Sequence, residues 1–268
     1  MIDHGKKNVL GILVNAIDYD AAVEKILTAA HNRNSFSVSA LAVHGIMTGV
    51  TDPIHRYRLN NLDMIVPDGQ PVRWALNWLY HLDIFDRVYG PTLMLKLCER
   101  AEKEGLPIFL YGSEPKVIES LKRNLETKFP NLKIAGVQPS GFRRVSKNDM
   151  LAIAKRIQQS GAAVTFVGLG CPKQEVWVYE YKKLLPMPLI AVGAAFDFHA
   201  GLLAQAPIGL QKIGLEWFYR LMKEPQRLWR RYILLNPQYL YLLLLQWLKI
   251  KKFDPSNVTI PDQEMRFS

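Results

Sequence analysis

From Val9 to Val192 the chain repeats one pattern: a short apolar run, then a stretch whose apolar residues recur at helical spacing. The runs read as strands at Val9–Val14, Phe36–Leu41, Met64–Val66, Ile108–Tyr111, Leu132–Val137, Ala163–Val167 and Leu189–Val192. Helices are expected over Ala21–Ala30, from His44, from Pro53, and over Val72–Tyr80, Thr92–Lys103, Pro115–Lys128, Asn148–Gln159 and Lys173–Leu184. Short, mostly apolar strands, with only Phe36–Leu41 alternating weakly through Ser37 and Ser39, and helices between them call for a mostly parallel sheet covered on both faces. The expected fold is α/β: a mostly parallel, Rossmann-like sheet flanked by helices.

Such sheets gather ligands beyond the carboxyl ends of their strands. Asp68 stands at one such end, between Pro67 and Gly69, and is the first candidate for an active-site acid. The turn Gly168-Leu-Gly-Cys-Pro172 is a second candidate, since free N–H groups at a helix start attract anions. Gln174 and Glu175, in the first turn of that helix, are placed to present polar groups to a ligand. The third glycine of the dinucleotide fingerprint is absent, Lys173 standing in its place, so no nicotinamide cofactor is expected. Arg87, among turn residues, could clamp a phosphate or pair with Asp83 or Asp86. In Phe196-Asp-Phe-His199 a structural reading leads over a ligand site. Asp18-Tyr-Asp20 looks like a metal-binding pair of acids, but it directly precedes a helix and reads as its cap. The histidines are scattered and show no ligand spacing, so no metal is expected.

Near residue 210 the strands cease. Residues 1–210 read as the catalytic core and 211–268 as a helical, basic and aromatic appendage. Between Lys212 and Lys252 nine Lys/Arg face two acids, +7 of a net +10. Such a tail points to an anionic partner: phospholipid, nucleic acid or a phosphorylated substrate. Trp217, Phe218, Tyr219 and Trp229 lie among Arg220, Arg227 and Arg230, a mixture typical of membrane interfaces. The apolar stretch Tyr232–Leu248 is broken by Asn236 and Pro237, leaving too little to span a bilayer, and Lys249, Lys251 and Lys252 follow. It reads as an interfacial anchor, with a buried or oligomer-forming helix as the alternative. Two distant cysteines and a polar N-terminus fit a reducing, cytoplasmic setting with no signal peptide.

Taken in order, Val66-Pro-Asp-Gly69, Asp86-Arg-Val-Tyr-Gly90, Leu110-Tyr-Gly112, Gly168-Leu-Gly-Cys-Pro-Lys-Gln-Glu175, Val192-Gly-Ala-Ala-Phe-Asp197, Ala206-Pro207, Gly214-Leu-Glu-Trp217, Tyr219-Arg220 and Glu224-Pro-Gln-Arg227 resemble the bacterial WecG/TagA/CpsF glycosyltransferase family. The resemblance covers about residues 9–235 and implies an inverting enzyme that needs neither metal nor cofactor. Its expected partners are a UDP-sugar, commonly UDP-N-acetylmannosamine, and a polyprenyl-diphosphate-linked sugar at the inner face of the cell membrane. An anionic membrane surface is expected too, nucleic acid is not, and a homo-oligomer is allowed. The resemblance makes Asp68 the general base. Ser39 stands where the family has a donor-site threonine, and Leu41 where it has an asparagine, with His44 following. Arg87 and Gln174 match pocket residues; Arg220, Arg227 and Arg230 match tail arginines that close over the diphosphate. The reading left beside it is a non-enzymatic protein that binds anionic lipid or nucleic acid through the tail.

Overall fold

In the computed structural model, residues 1–268 are described except for the side chains of Ile208, Lys212, Arg227 and Arg231. An antiparallel hairpin, β1 (Asp3–Val9) and β2 (Ile12–Ile17), precedes α1 (Tyr19–His31). The alternating part follows: β3 (Phe36–Leu41), α2 (Val43–Thr51), α3 (Pro53–Asn60), β4 (Met64–Pro67), α4 (Gln70–Tyr80), α5 (Gly90–Glu104) and β5 (Ile108–Gly112). It continues through α6 (Pro115–Lys128), β6 (Ile134–Gln138), α7 (Lys147–Gln159), β7 (Val164–Gly168), α8 (Lys173–Tyr181), β8 (Pro188–Ala191) and α9 (Ala195–His199). Strands β3 to β8 form one parallel sheet in the order β4-β3-β8-β7-β5-β6.

Alternation along each strand sends side chains to two separate cores. Met64 and Val66 point to the face covered by α1, α5 and α6, where Ile26, Leu97 and Leu121 pack. Ile65 points to the other, where Leu76, Ile157 and Trp177 from α4, α7 and α8 pack. Trp177 is fully buried there, stacked between Tyr111 and Tyr181 with centroids at 4.6 and 4.0 Å. The doubly covered sheet read from the sequence is present.

The helix starts follow the local chemistry. Asp18 accepts from the Ala21 amide at 2.9 Å and caps α1, so the pair of acids is a cap. Asp52 accepts from Ile54 and His55 and caps α3, with Pro53 at its first position.

The first strand differs from the expected Val9–Val14. Leu10 and Gly11 both take positive φ, 55° and 89°, and form the two-residue turn of a hairpin. That turn divides the apolar run into β1 and β2. The hairpin joins no neighbour of the main sheet by strand pairing; Asn15 fastens it to β4 by accepting from the Ile65 amide at 2.9 Å.

Gly112 ends β5 at φ 107°, and a Cβ there would meet the Gly168 carbonyl oxygen at 2.7 Å. Gly112→Ala is expected to lose about 1–3 kcal/mol from backbone strain, before any clash, read as a lowered urea midpoint.

Beyond α9 the tail is helical: α10 (Ile208–Lys212), α11 (Glu216–Lys223) and α12 (Pro225–Trp229), then a π-helical segment Arg230–Leu235 running into α13 (Asn236–Trp247). Pro237 lies in the first turn of α13, where its missing N–H costs little, so Asn236 and Pro237 start a helix where the sequence read an interruption. Tyr239 and Leu243 of α13 are buried against the core. The chain end also returns to the core, with Asn8 Nδ2 donating to the Phe253 carbonyl at 2.6 Å and the Thr259 amide to the Pro53 carbonyl at 3.2 Å.

Candidate active site

Strands β3 and β4 are neighbours in register, Leu41 opposite Pro67, so the segments leaving them lie side by side. Ala42, Val43 and His44 continue from one; Asp68, Gly69 and Gln70 continue from the other. Neither Ala42 nor Gly69 caps its helix with a side chain, so α2 and α4 bring uncapped N-terminal ends to this crevice. The Val88 amide donates to the Pro67 carbonyl at 3.0 Å and draws the Arg87–Gly90 loop alongside. From it the Gly90 amide donates to Asp68 Oδ1 at 2.6 Å. Burial pushes the Asp68 carboxyl up to about 6, while Arg87, the Gly90 hydrogen bond and Arg220 pull it down and Glu216 raises it. At neutral pH Asp68 is a carboxylate, and a stronger base than an exposed one.

The tail supplies the opposite wall. Gly214 takes φ 78° and passes so close to α4 that a Cβ would meet Trp74 Cη2 at 2.9 Å. The turn delivers α11 with Glu216 buried against the Arg87 loop. Arg87 Nη2 donates to Glu216 Oε2 at 2.5 Å, and the Tyr89 hydroxyl donates to Oε1 at 2.7 Å. The Arg87 guanidinium lies 4.1 Å from the Tyr89 ring centre. Burial and Glu216 raise the Tyr89 phenol, which stays a donor. Arg220, four residues on and so on the same helix face, also reaches the crevice, with Nη2 at 3.9 Å from Glu224 Oε2.

The space between these walls, partly open to solvent, is about 120 Å³, lined by Asp68, Arg87, Tyr89, Glu216, Trp217, Arg220, Tyr232 and Asn236 among others. Ligand sites for drug-sized molecules run to roughly 300–1,000 Å³. As it stands the space is smaller than a nucleotide-sized ligand needs.

The expected site residues fall into two groups. Asp68, Arg87 and Arg220 line the cavity. Ser39, Gln174 and Glu175 form a buried cluster off its lining: the Ser39 hydroxyl donates to Glu175 Oε1 at 3.0 Å and Gln174 Nε2 to the same oxygen at 2.8 Å. The Gly170 amide donates to Gln174 Oε1 at 3.1 Å, so the glycine turn is closed by its own helix. Arg230 is exposed, its guanidinium 5.3 Å from the Trp229 ring, and the side chain of Arg227 lies outside the described residues. His199 donates a ring N–H to the Pro91 carbonyl at 2.9 Å, a structural role.

Among the described residues one group could hold a metal ion: His55, Cys171 and Glu175, with candidate ligand atoms within 4.8 Å of one another. Burial pushes the His55 imidazole down to about 4, hence neutral, and holds the Glu175 carboxyl above its usual range against Gln174, Ser39 and Cys171. The sequence did not show the group because His55, on α3, is brought to Cys171 and Glu175 only by the fold.

A family model for glycosyl transferases, WecG/TagA/CpsF, matches residues 7–253. The chain belongs to the WecG/TagA/CpsF family. It is 33% identical over 198 residues, 74% of either chain, to the N-acetylglucosaminyldiphosphoundecaprenol N-acetyl-beta-D-mannosaminyltransferase of Bacillus subtilis (strain 168). It is accordingly a glycosyltransferase. Among the described residues no helix is long and apolar enough to cross a membrane.

For this member of the WecG/TagA/CpsF family, sequence reading missed Tyr89 and Glu216 as parts of the site. Glu216 had two signals, its place in the block Gly214-Leu-Glu-Trp217 and its being one of two acids in an otherwise basic tail. Its partners lie 127 and 129 residues away, beyond any local pattern.

Proposed function

We propose that the enzyme inverts the anomeric centre of an N-acetylmannosamine-type sugar as it moves it from UDP to a polyprenyl-diphosphate-linked sugar, in cell-surface polysaccharide synthesis. The observation that carries this reading is Asp68: a half-buried, basic carboxylate at a strand end, facing a cavity with two arginines. Gly90 occupies Oδ1. Oδ2 is left to take the proton of the acceptor hydroxyl as its oxygen bonds to the sugar carbon. The diphosphate leaves from the opposite face with the bonding electron pair. Arg87, Arg220 and the N-terminal ends of α2 and α4 meet that charge, with no metal in the step. The acceptor class is that of the relative from Bacillus subtilis, as its name gives it.

A panel of UDP-sugars with a synthetic prenyl-diphosphate-N-acetylglucosamine acceptor, read by mass spectrometry, tests the assignment. One added N-acetylhexosamine in β linkage, formed equally well in a chelator, is the expected product. Turnover without the UDP moiety, or loss of turnover in the chelator, would overturn the donor or the metal-free step respectively.

We also place the tail at the inner face of the membrane, as a peripheral contact. Phe218, Met222, Ile233, Leu234, Tyr241 and Ile250 are all at least half exposed, and Arg230, Lys249, Lys251 and Lys252 of the same tail are exposed too. Each basic residue near an anionic surface contributes about 1 kcal/mol. The triple variant Lys249→Glu, Lys251→Glu, Lys252→Glu should weaken binding to phosphatidylglycerol vesicles by on the order of 10²-fold in sedimentation assays. Unchanged sedimentation would remove the basic end of the tail from the contact.

A further inference from the structure

Helices α4 and α13 lie against each other, tied by the Tyr239 hydroxyl donating to the Pro71 carbonyl at 3.2 Å. Their N-terminal ends line the catalytic cavity, through Gln70 and Pro71 on one and Asn236 on the other. Farther along the same pair a second, apolar cavity of about 610 Å³ opens. Its walls are Trp78 and Leu79 from α4 and Leu240, Leu243, Leu244 and Trp247 from α13. Trp78, Leu240, Leu244 and Trp247 are each about half exposed, at 56, 50, 48 and 54%.

We infer that this groove seats the first isoprenoid units of a lipid-diphosphate acceptor, an inference that rests on the transferase reading above. Three observations fix the occupant. The groove is concave and within the roughly 300–1,000 Å³ of ligand sites, whereas a face that only inserts into a bilayer has no need of a hollow. It lies on the same helix pair as the active site, about 10 Å from Pro71 to Trp78 along α4 at 1.5 Å per residue. A sugar resting on Asp68 and a diphosphate behind it cover that separation and deliver a hydrocarbon chain to the groove. At the far end of α13 stand Lys249, Lys251 and Lys252, all exposed, at the level where the chain would pass among anionic headgroups. The relative from Bacillus subtilis is named for an acceptor with such a chain, an undecaprenol.

The full-length protein is titrated with geranylgeranyl diphosphate and, separately, inorganic diphosphate, following tryptophan emission. A saturable blue shift with the prenyl compound alone is expected, lost in the Trp78→Phe/Trp247→Phe variant. In Leu240→Gln/Leu244→Gln the midpoint should rise about ten-fold or more as apolar contact is lost. In turnover, the preference for a prenyl-linked acceptor over the same sugar diphosphate on a short alkyl chain should fall by a similar factor in that variant.

Four results would overturn the groove. They are no shift, equal losses on both acceptors, a change of oligomeric state in the leucine variant (a second copy as occupant), or lost vesicle binding with chain-length preference intact (the bilayer itself). If the wild type turned over neither acceptor, the transferase reading would fall, and the fluorescence titration would still decide the groove.

Discussion

Asp68→Asn is expected to lower transfer by on the order of 10²–10⁴-fold, the range that general-base help supplies. The replacement keeps the shape and the acceptor atom for the Gly90 amide, and removes the group that takes a proton. In the wild type, turnover should fall as pH drops through about 6, where Asp68 becomes protonated. The stability effect runs the other way. The folded carboxyl titrates at about 6 against 3.8 when unperturbed, so its stabilising share is complete at low pH and is lost as pH rises through 6. At pH 7.5 the variant escapes that penalty and should unfold later, by up to about 3 kcal/mol at 1.36 kcal/mol per pH unit. At pH 3.5 the two should unfold together. A variant that transferred sugar at a near-normal rate would remove Asp68 as the base. One that lost activity and stability together would make it a structural acid.

The contrast between Asp68 and Glu216 shows what a sequence makes legible here. Asp68 follows an apolar run and precedes a glycine and a helix, all within a few residues. Strand β3 was recoverable to the residue as well, from the alternation along Phe36-Ser-Val-Ser-Ala-Leu41. Local pattern failed at β1 and β2 because Leu10, an apolar and fully buried residue, serves as a turn residue there. It failed again at Pro237, because a π-helical lead-in lets the proline open α13. The resemblance put Ser39 at the donor site and Gln174 among pocket residues; in the fold both hydrogen-bond to Glu175 in a buried cluster. Motif spacing carries identity along the chain but not which way a side chain turns once α8 is docked.

Glu216→Ala is expected to unlatch the tail, with the larger structural effect of the two. Glu216 is where α11 meets the core: it takes the Arg87 guanidinium and the Tyr89 hydroxyl on separate oxygens, with all three side chains buried. Removing it leaves Arg87 stacked on Tyr89 as a buried cation without its nearest counter-charge. Breaking a buried pair from one side costs about 3–5 kcal/mol. The chain can escape that cost by letting α11 lift and water reach Arg87. Limited proteolysis should then cut faster within residues 206–224, and transfer should fall because Arg220 leaves with the helix. Glu216→Gln retains an acceptor for Tyr89 but no charge for Arg87, and should fall between. Saturating UDP should restore part of the protection in both variants, since its phosphates replace the missing carboxylate beside Arg87. An unchanged cleavage rate in Glu216→Ala would show that α12 and α13 hold the tail without the latch. A nucleotide-sized ligand would then need some other movement than the lifting of α11 to enter.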